Sequence, residues 1–266
     1  MFGHRTIGQL SLSSSLFIAN IIIILIFLVP RLFGHHVVTQ ISLYYETLCP
    51  DSRNFFRNQL YPTYEKLNRY MDVELVPFGN ANVSYPRHDN KPVFRCQHGP
   101  KECYGNRVQS CTIEMLKNTD LSIRFVHCMF DQKDWLETSQ TSRRCAEQMQ
   151  LDWPKISSCA DGSEGERLLI ANSLKTFNLN PEHTYVPWIV IDKNHTAQMQ
   201  TNAETNLLGY LCEHNFNHEP QIDQCSKEAI SLSQHLHNNS IKPKATLTII
   251  SIMTATTIIL MSLIFG

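Results

Sequence analysis

The chain has 266 residues, 42% of them apolar and 18% charged, and its 23 basic and 24 acidic side chains leave a formal charge of -1. This composition excludes a disordered or fibrous chain and predicts a buried core. The charges form no long like-sign block, so no nucleic-acid partner is expected.

Residues 16–29 (LFIANIIIILIFLV) are an apolar run behind a weakly basic start containing His4 and Arg5, the layout of a secretory signal. Residues 1–34 therefore read as a signal peptide cleaved near Gly34. The following PRLFG lacks a small-x-small cleavage site, which leaves an uncleaved anchor as the alternative.

Val37 to Tyr45 is rich in β-branched and aromatic residues and reads as a buried strand, with Cys49-Pro50-Asp51-Ser52 just beyond it. Phe55, Phe56, Leu60, Tyr64 and Leu67 then recur at helical spacing, and Pro62 predicts a kink. Val73 to Phe78 supplies a second strand, closing a βαβ unit whose crossover makes the strands parallel. Residues from about 80 to 165 read as a helical insertion, with helices over Val108 to Lys117, Ile123 to Phe130 and Thr141 to Leu151. Beyond it come a helix from Glu164 to Phe177 and a strand from Tyr185 to Asp192. After a turn, His195 to Gln200 is expected to pair back as a further strand, and Thr205 to Cys212 is the final helix. The order βαβ, helical insertion, α, ββα is that of an α/β thioredoxin-like fold with a disulfide-rich helical insertion and helices on both faces of the sheet. The folded domain is placed at residues 35–228.

A polar stalk at residues 229–244 precedes the apolar segment 245–266, which is long enough to cross a bilayer. As a single span behind a cleaved signal it would leave Lys242 and Lys244 on the lumenal side, against the positive-inside tendency. Asn238, Asn239 and Ser240, a short spacer and the apolar end resemble a signal for a glycosylphosphatidylinositol anchor. A plain transmembrane anchor is the alternative, and in both cases the membrane is an expected partner.

Nine cysteines are many for a cytosolic protein and ordinary for an oxidising lumen. Sequons at Asn82, Asn194 and Asn238 fit glycosylation in the same compartment. An odd count leaves at least one thiol without a partner in the chain. Cys96, Cys103, Cys111, Cys128, Cys145, Cys159, Cys212 and Cys225 are the candidates for bridges, and only Cys212 with Cys225 is a local pairing. A zinc reading of Cys96, His98, Cys103 and Cys111 competes, but paired C-x2-4-C knuckles are missing, so no metal is expected. His98 reads instead as a packed or hydrogen-bonding residue.

Cys49 stands where a strand gives way to a helix N-terminus, whose partial positive charge and unpaired N–H groups favour thiolate. Thiolate is the nucleophile of thiol–disulfide exchange. Ser52 occupies the place of the resolving cysteine in C-x-x-C; its hydroxyl can hydrogen-bond the sulfur but cannot displace a substrate from it. Asp51 is expected to oppose the thiolate slightly. The alternative is that Cys49 is itself bridged. Val186-Pro187 lies at the start of the last apolar strand, and a cis bond there would expose the backbone before the proline to an extended peptide.

These residues resemble the gamma-interferon-inducible lysosomal thiol reductases. The family signature C-Q-H-G-x2-E-C-x2-N-x4-C is present as Cys96-Gln97-His98-Gly99, Glu102-Cys103, Asn106 and Cys111, and LYYETLCPDS, VELVPFGNANV and TYVPWIVID also look like family segments. The resemblance spans roughly Ile41 to Cys225. It implies a thioredoxin-like fold, a secretory route to a lysosomal or endosomal lumen, the cell surface or the exterior, and reduction of protein disulfides at acid pH without a cofactor. Reductases of this family use C-x-x-C, whereas Cys49-Pro50-Asp51-Ser52 keeps only the attacking sulfur. A monothiol mechanism follows, with a small thiol such as glutathione or cysteine resolving the mixed disulfide. The rival reading is a catalytically inactive, disulfide-stapled binding protein.

Overall fold

The computed structural model describes residues 38–86, 91–216 and 222–226. The expected signal segment, the stalk, the apolar segment 245–266 and Asn238 lie outside these residues. Among the described residues no helix is long and apolar enough to cross a membrane.

Strand β1 (Thr39–Tyr45) buries alternate residues Ile41, Leu43 and Tyr45 on one face. Helix α1 (Pro50–Phe55), a π-helical turn (Phe56–Leu60) and helix α2 (Tyr61–Leu67) carry the chain across to β2 (Met71–Pro77). Pro62 has no N–H to donate, and the predicted kink takes the form of this π turn, in which the Tyr61 N–H reaches back to the Phe56 carbonyl. The turn keeps both Phe56 and Leu60 fully buried. β2 runs parallel to β1 with Ile41 opposite Val73 and Leu43 opposite Leu75. β5 (Trp188–Ile191) pairs antiparallel with the other edge of β1, giving the strand order β2-β1-β5.

One face of this sheet is covered completely. Ile41, Leu43, Val73, Leu75, Ile189 and Ile191 pack with Phe56 and Leu60 and with helices α4 (Thr119–Asp131) and α8 (Ala197–His214) through Ile123, Phe130, Leu207 and Leu211. The second face differs from the expectation. Tyr44, Val76 and Trp188 are buried there beside Leu179, but toward the other end Gln40, Asp72 and Glu74 are exposed. Helix α7 (Ser163–Phe177) reaches this end through Lys175, whose Nζ lies 2.7 Å from Glu74 Oε1. Among the described residues, helices thus cover one face and part of the other.

The insertion begins with a short hairpin, β3 (Asn82–Ser84) and β4 (Val93–Arg95), which hydrophobic patterning did not predict because its exposed residues bury little. Helix α3 (Pro100–Leu116) starts well before Val108, since its first turns face polar partners and carry no apolar period. Helices α5 (Thr138–Gln148) and α6 (Trp153–Asp161) follow. The bridge Cys111–Cys159 ties α3 to α6 and Cys128–Cys145 ties α4 to α5, around a second core of Val108, Phe125, Met129, Ala146 and Ile156. The remaining pairs are Cys96–Cys103 and Cys212–Cys225.

His195 to Gln200 is not a strand. The chain turns through Asp192 and Lys193, both at positive φ, and Ala197 already opens α8, with the Thr196 hydroxyl accepting from the Met199 N–H. Side chains replace the missing ladder on the outer edge of β5: Gln200 Oε1 accepts the Ile189 N–H at 2.9 Å, and His195 Nδ1 lies 2.8 Å from the Ile189 carbonyl. The arrangement is a thioredoxin-like α/β fold carrying a helical, disulfide-linked insertion.

Replacing both Cys111 and Cys159 with alanine removes a covalent link spanning 48 residues of sequence. The expected loss is about 2–4 kcal/mol. Thermal unfolding should show it as a fall in Tm of roughly 5–15 °C.

Candidate active site

Cys49 is the free cysteine of the described chain and caps the N-terminus of α1, with its sulfur accepting the Ser52 N–H at 3.4 Å. Its S–H points to the Val186 carbonyl oxygen at 3.7 Å, and the Val186–Pro187 peptide is cis. Val186 and Pro187 therefore stand directly across from the sulfur. Gln200 fixes that strand from behind, its Nε2 donating to the Pro187 carbonyl at 2.8 Å while its Oε1 holds Ile189. Beside Pro187 runs a groove of about 410 Å³ lined by Asp51, Phe55, Asn58, Tyr185, Pro187 and Glu204.

Ser52 is fully buried. Its hydroxyl bonds the Cys49 sulfur and accepts the Glu46 N–H at 3.4 Å, so it joins the thiol to the turn that precedes it.

The thiol differs from expectation. Burial pushes the Cys49 thiol up, since only 6% of the residue is exposed, and this outweighs the hydrogen bonds from the Ser52 side chain and from the Ser52 and Asp51 backbone. A helix N-terminus favours thiolate, but desolvation of the charged form is the larger effect here. The carboxylate that opposes the thiolate is Glu46 rather than Asp51.

Glu46 was not singled out by sequence, because one glutamate within YYETLC carries no periodic signal. It is fully buried. Its Oε1 accepts the Asn80 N–H at 2.6 Å; its Oε2 has no hydrogen-bond partner among the described residues and lies 3.4 Å from His98 Nδ1. His98 Nδ1 is in turn 2.6 Å from Oε2 of buried Glu102, and the His98 N–H donates to Glu102 Oε1 at 3.0 Å. Burial, and then the charge of Glu102, push the Glu46 carboxyl up to about 7, against the Asn80 N–H and His98.

The signature residues converge on this turn. Gln97 Oε1 accepts from the Asn80 side chain at 2.7 Å, and Asn80 holds Glu46. Asn106 Oδ1 accepts the Thr47 N–H at 3.0 Å. Gly105 lets α3 approach closely, for a Cβ there would come within 2.6 Å of the Thr47 hydroxyl. Gly79, at φ +61°, is equally confined, since a Cβ would overlap Glu46. Sequence reading assigned the signature to bridges and packing; the structure shows it also gripping residues 46 and 47.

Glu46, His98 and Glu102 bring three donor atoms within 4.8 Å of one another, which in kind could hold a divalent cation. The 2.6 Å between His98 and Glu102 is a hydrogen-bond distance. Neighbouring ligands of tetrahedral zinc stand roughly 3.3 Å apart. The alternative zinc set fails on different grounds: Cys96, Cys103 and Cys111 are all in disulfides. Of the sequons, Asn82 and Asn194 are exposed.

Residues 40–149 match the family model described as gamma interferon inducible lysosomal thiol reductase (GILT). A Carassius auratus protein named gamma-interferon-inducible lysosomal thiol reductase is 38% identical over 174 residues, covering 65% of this chain and 66% of that protein, just under two thirds of its length. The like-named Mus musculus protein is 33% identical, covering 69% of this chain and 71% of its own. An Anopheles gambiae thiol reductase-like protein is 31% identical, with coverages of 70% and 79%. A crystal structure of the oxidoreductase DsbA from Xylella fastidiosa aligns at a TM-score of 0.44 and 12% identity, over 65% of this chain and 84% of that one.

The raised carboxyl of Glu46 links stability to pH. Its proton is held more tightly in the folded chain, at about 7, than in the unfolded chain. An unfolded glutamate titrates near ~4.3, so this stabilising contribution is complete below about pH 4 and lost as pH rises through 7. Denaturant unfolding should find the Glu46→Gln variant more stable than the parent at pH 8 by roughly 3–4 kcal/mol and by only about 1 kcal/mol at pH 5. Equal differences at both pH values would disprove the linkage.

Proposed function

Because the chain belongs to the gamma-interferon-inducible lysosomal thiol reductase family, we propose that it is a thiol–disulfide oxidoreductase acting on protein disulfides through the single sulfur of Cys49. The observation that carries this reading is an unbridged cysteine at a helix N-terminus, facing the carbonyl before a cis proline. The four disulfides and the names of the relatives support a secretory or endolysosomal lumen. In this reading residues 245–266 direct membrane attachment, as a signal replaced by a glycosylphosphatidylinositol anchor or, alternatively, as a transmembrane anchor.

The Cys49 thiolate attacks one sulfur of a substrate disulfide; that bond breaks, and the departing sulfur takes up a proton as a thiol. As Cys49 loses its own proton, the Val186 carbonyl is freed to accept a backbone N–H from the substrate segment beside Pro187. Ser52 hydrogen-bonds the reactive sulfur but cannot expel the bound substrate. A small thiol, glutathione or cysteine, then attacks the Cys49 sulfur and releases the second substrate thiol. A second small thiol restores Cys49 and leaves as the small-molecule disulfide, so two small thiols are oxidised for each disulfide reduced.

A second reading is favoured by the burial and raised thiol of Cys49: a binding protein of the same fold that holds partners in the groove without turnover. Reduction of a model disulfide protein separates the two. Multiple turnover is expected only with a small thiol present, and Cys49→Ser should abolish both turnover and trapped mixed disulfides. Ser52→Cys should restore an internal resolving sulfur and raise the rate about tenfold or more at low thiol concentration. An inert Ser52→Cys variant, together with a parent that traps no substrate, would leave the binding reading in place.

A further inference from the structure

We propose that Glu46 is a positioning residue that sets the pH range of Cys49: its carboxyl, wedged between His98, Glu102 and the Asn80 amide, opposes the thiolate while charged and releases it on taking up a proton. The inference rests on Cys49 being the reactive thiol, and it does not require that the protein turn over disulfides.

Three features of the geometry carry it. Glu46 lies on the same tight turn as Cys49, whose N–H bonds the Glu46 carbonyl at 3.4 Å, and Ser52 contacts both residues. The carboxyl is fully buried, so water screens its field weakly. One of its oxygens has no hydrogen-bond partner among the described residues and faces His98 at 3.4 Å, which makes this group the place where a further proton is accommodated.

The groups around Glu46 define when that proton arrives. From α3, Glu102 repels the charged carboxyl; from the loop before α3, His98 attracts it; from the β2–β3 turn, the Asn80 N–H supports it. His183 bonds the Gly79 backbone on that turn, and burial holds its ring below the ordinary histidine range, favouring the neutral form. The balance leaves Glu46 protonating near 7, so it is largely neutral at endosomal acidity and becomes charged as pH rises past 7. Cys49 feels the difference, because burial raises its thiol most and the Glu46 charge then adds to that rise. The signature positions His98 and Glu102 thereby acquire a function through Glu46, without touching the sulfur.

The test is the rate of Cys49 alkylation by iodoacetamide from pH 5 to 8.5 in the full folded chain, which reads the thiol alone. In the parent, the rate should rise less steeply above pH 7 than below it. Glu46→Gln should react about threefold faster than the parent at pH 8 and equally at pH 5.5, because an amide mimics the protonated carboxyl. Glu102→Gln removes the repulsion and should move the parent's inflection to lower pH, while His98→Asn removes the attraction and should move it higher. These opposite displacements keep the proposal testable if Glu46→Gln does not fold. A Glu46→Gln to parent ratio that is constant with pH, or two neighbouring variants that shift the inflection alike or leave it in place, would overturn the proposal. Loss of disulfide turnover with these displacements intact would count against the proposed function only.

Discussion

The grip of α3 on the turn between β1 and α1 is the constraint on which the rest of the site depends. A four-residue connection from Glu46 to Cys49 must place a sulfur at a helix N-terminus and opposite Val186. Its backbone is held from outside by Asn106 on Thr47 and by Asn80 on the Glu46 carboxyl. Close approach at Gly105 makes this possible, and the bridges at Cys96–Cys103 and Cys111–Cys159 keep α3 and its lead-in from drifting. The insertion therefore serves the sheet. Its helix α4 also supplies Ile123, Val126 and Phe130 to the main core, so the two cores form around shared helices.

Burial and electrostatics act against each other at the sulfur. Helix-end amides and the Ser52 hydroxyl favour charge there, while desolvation and Glu46 disfavour it. A thiol kept protonated in this way stays unreactive until its surroundings change. The exchange chemistry still needs thiolate, so whatever enters the groove beside Pro187 must bring polar groups that offset the lost water.

Much of this architecture was legible from local pattern. The run VVTQISLYY announced β1, the aromatic spacing after Cys49 announced the first helix, and the position of Cys49 between them followed. The strand around Val186-Pro187 was legible too, although it opens only at Trp188 rather than at Tyr185. What pattern could not show were contacts between side chains distant in sequence. Glu46 sits among apolar residues and has no periodic partner; His98 and Glu102 reach it only after α3 folds back. The error at His195 to Gln200 has the same origin: a turn after Asp192 suggested a strand pairing back, whereas His195 and Gln200 satisfy Ile189 from a turn and a helix. A lowered pKa at Cys49 followed from helix-end physics alone, and the burial that opposes it comes with the Val186 segment packing across the sulfur.

The side-chain caps on the outer edge of β5 bear on how such a protein survives among unfolding chains. An open strand edge presents unpaired N–H and C=O groups that can template intermolecular sheets and seed aggregation. Here Ile189, at the middle of that edge, has its N–H taken by Gln200 and its carbonyl by His195, and Ile191 is closed on itself by reciprocal bonds with Asn194. A foreign strand cannot zip along this edge without displacing those bonds. Under the proposed function, what this edge leaves open is the short segment at the cis proline, where an incoming polypeptide would meet sulfur before it could recruit a fibril.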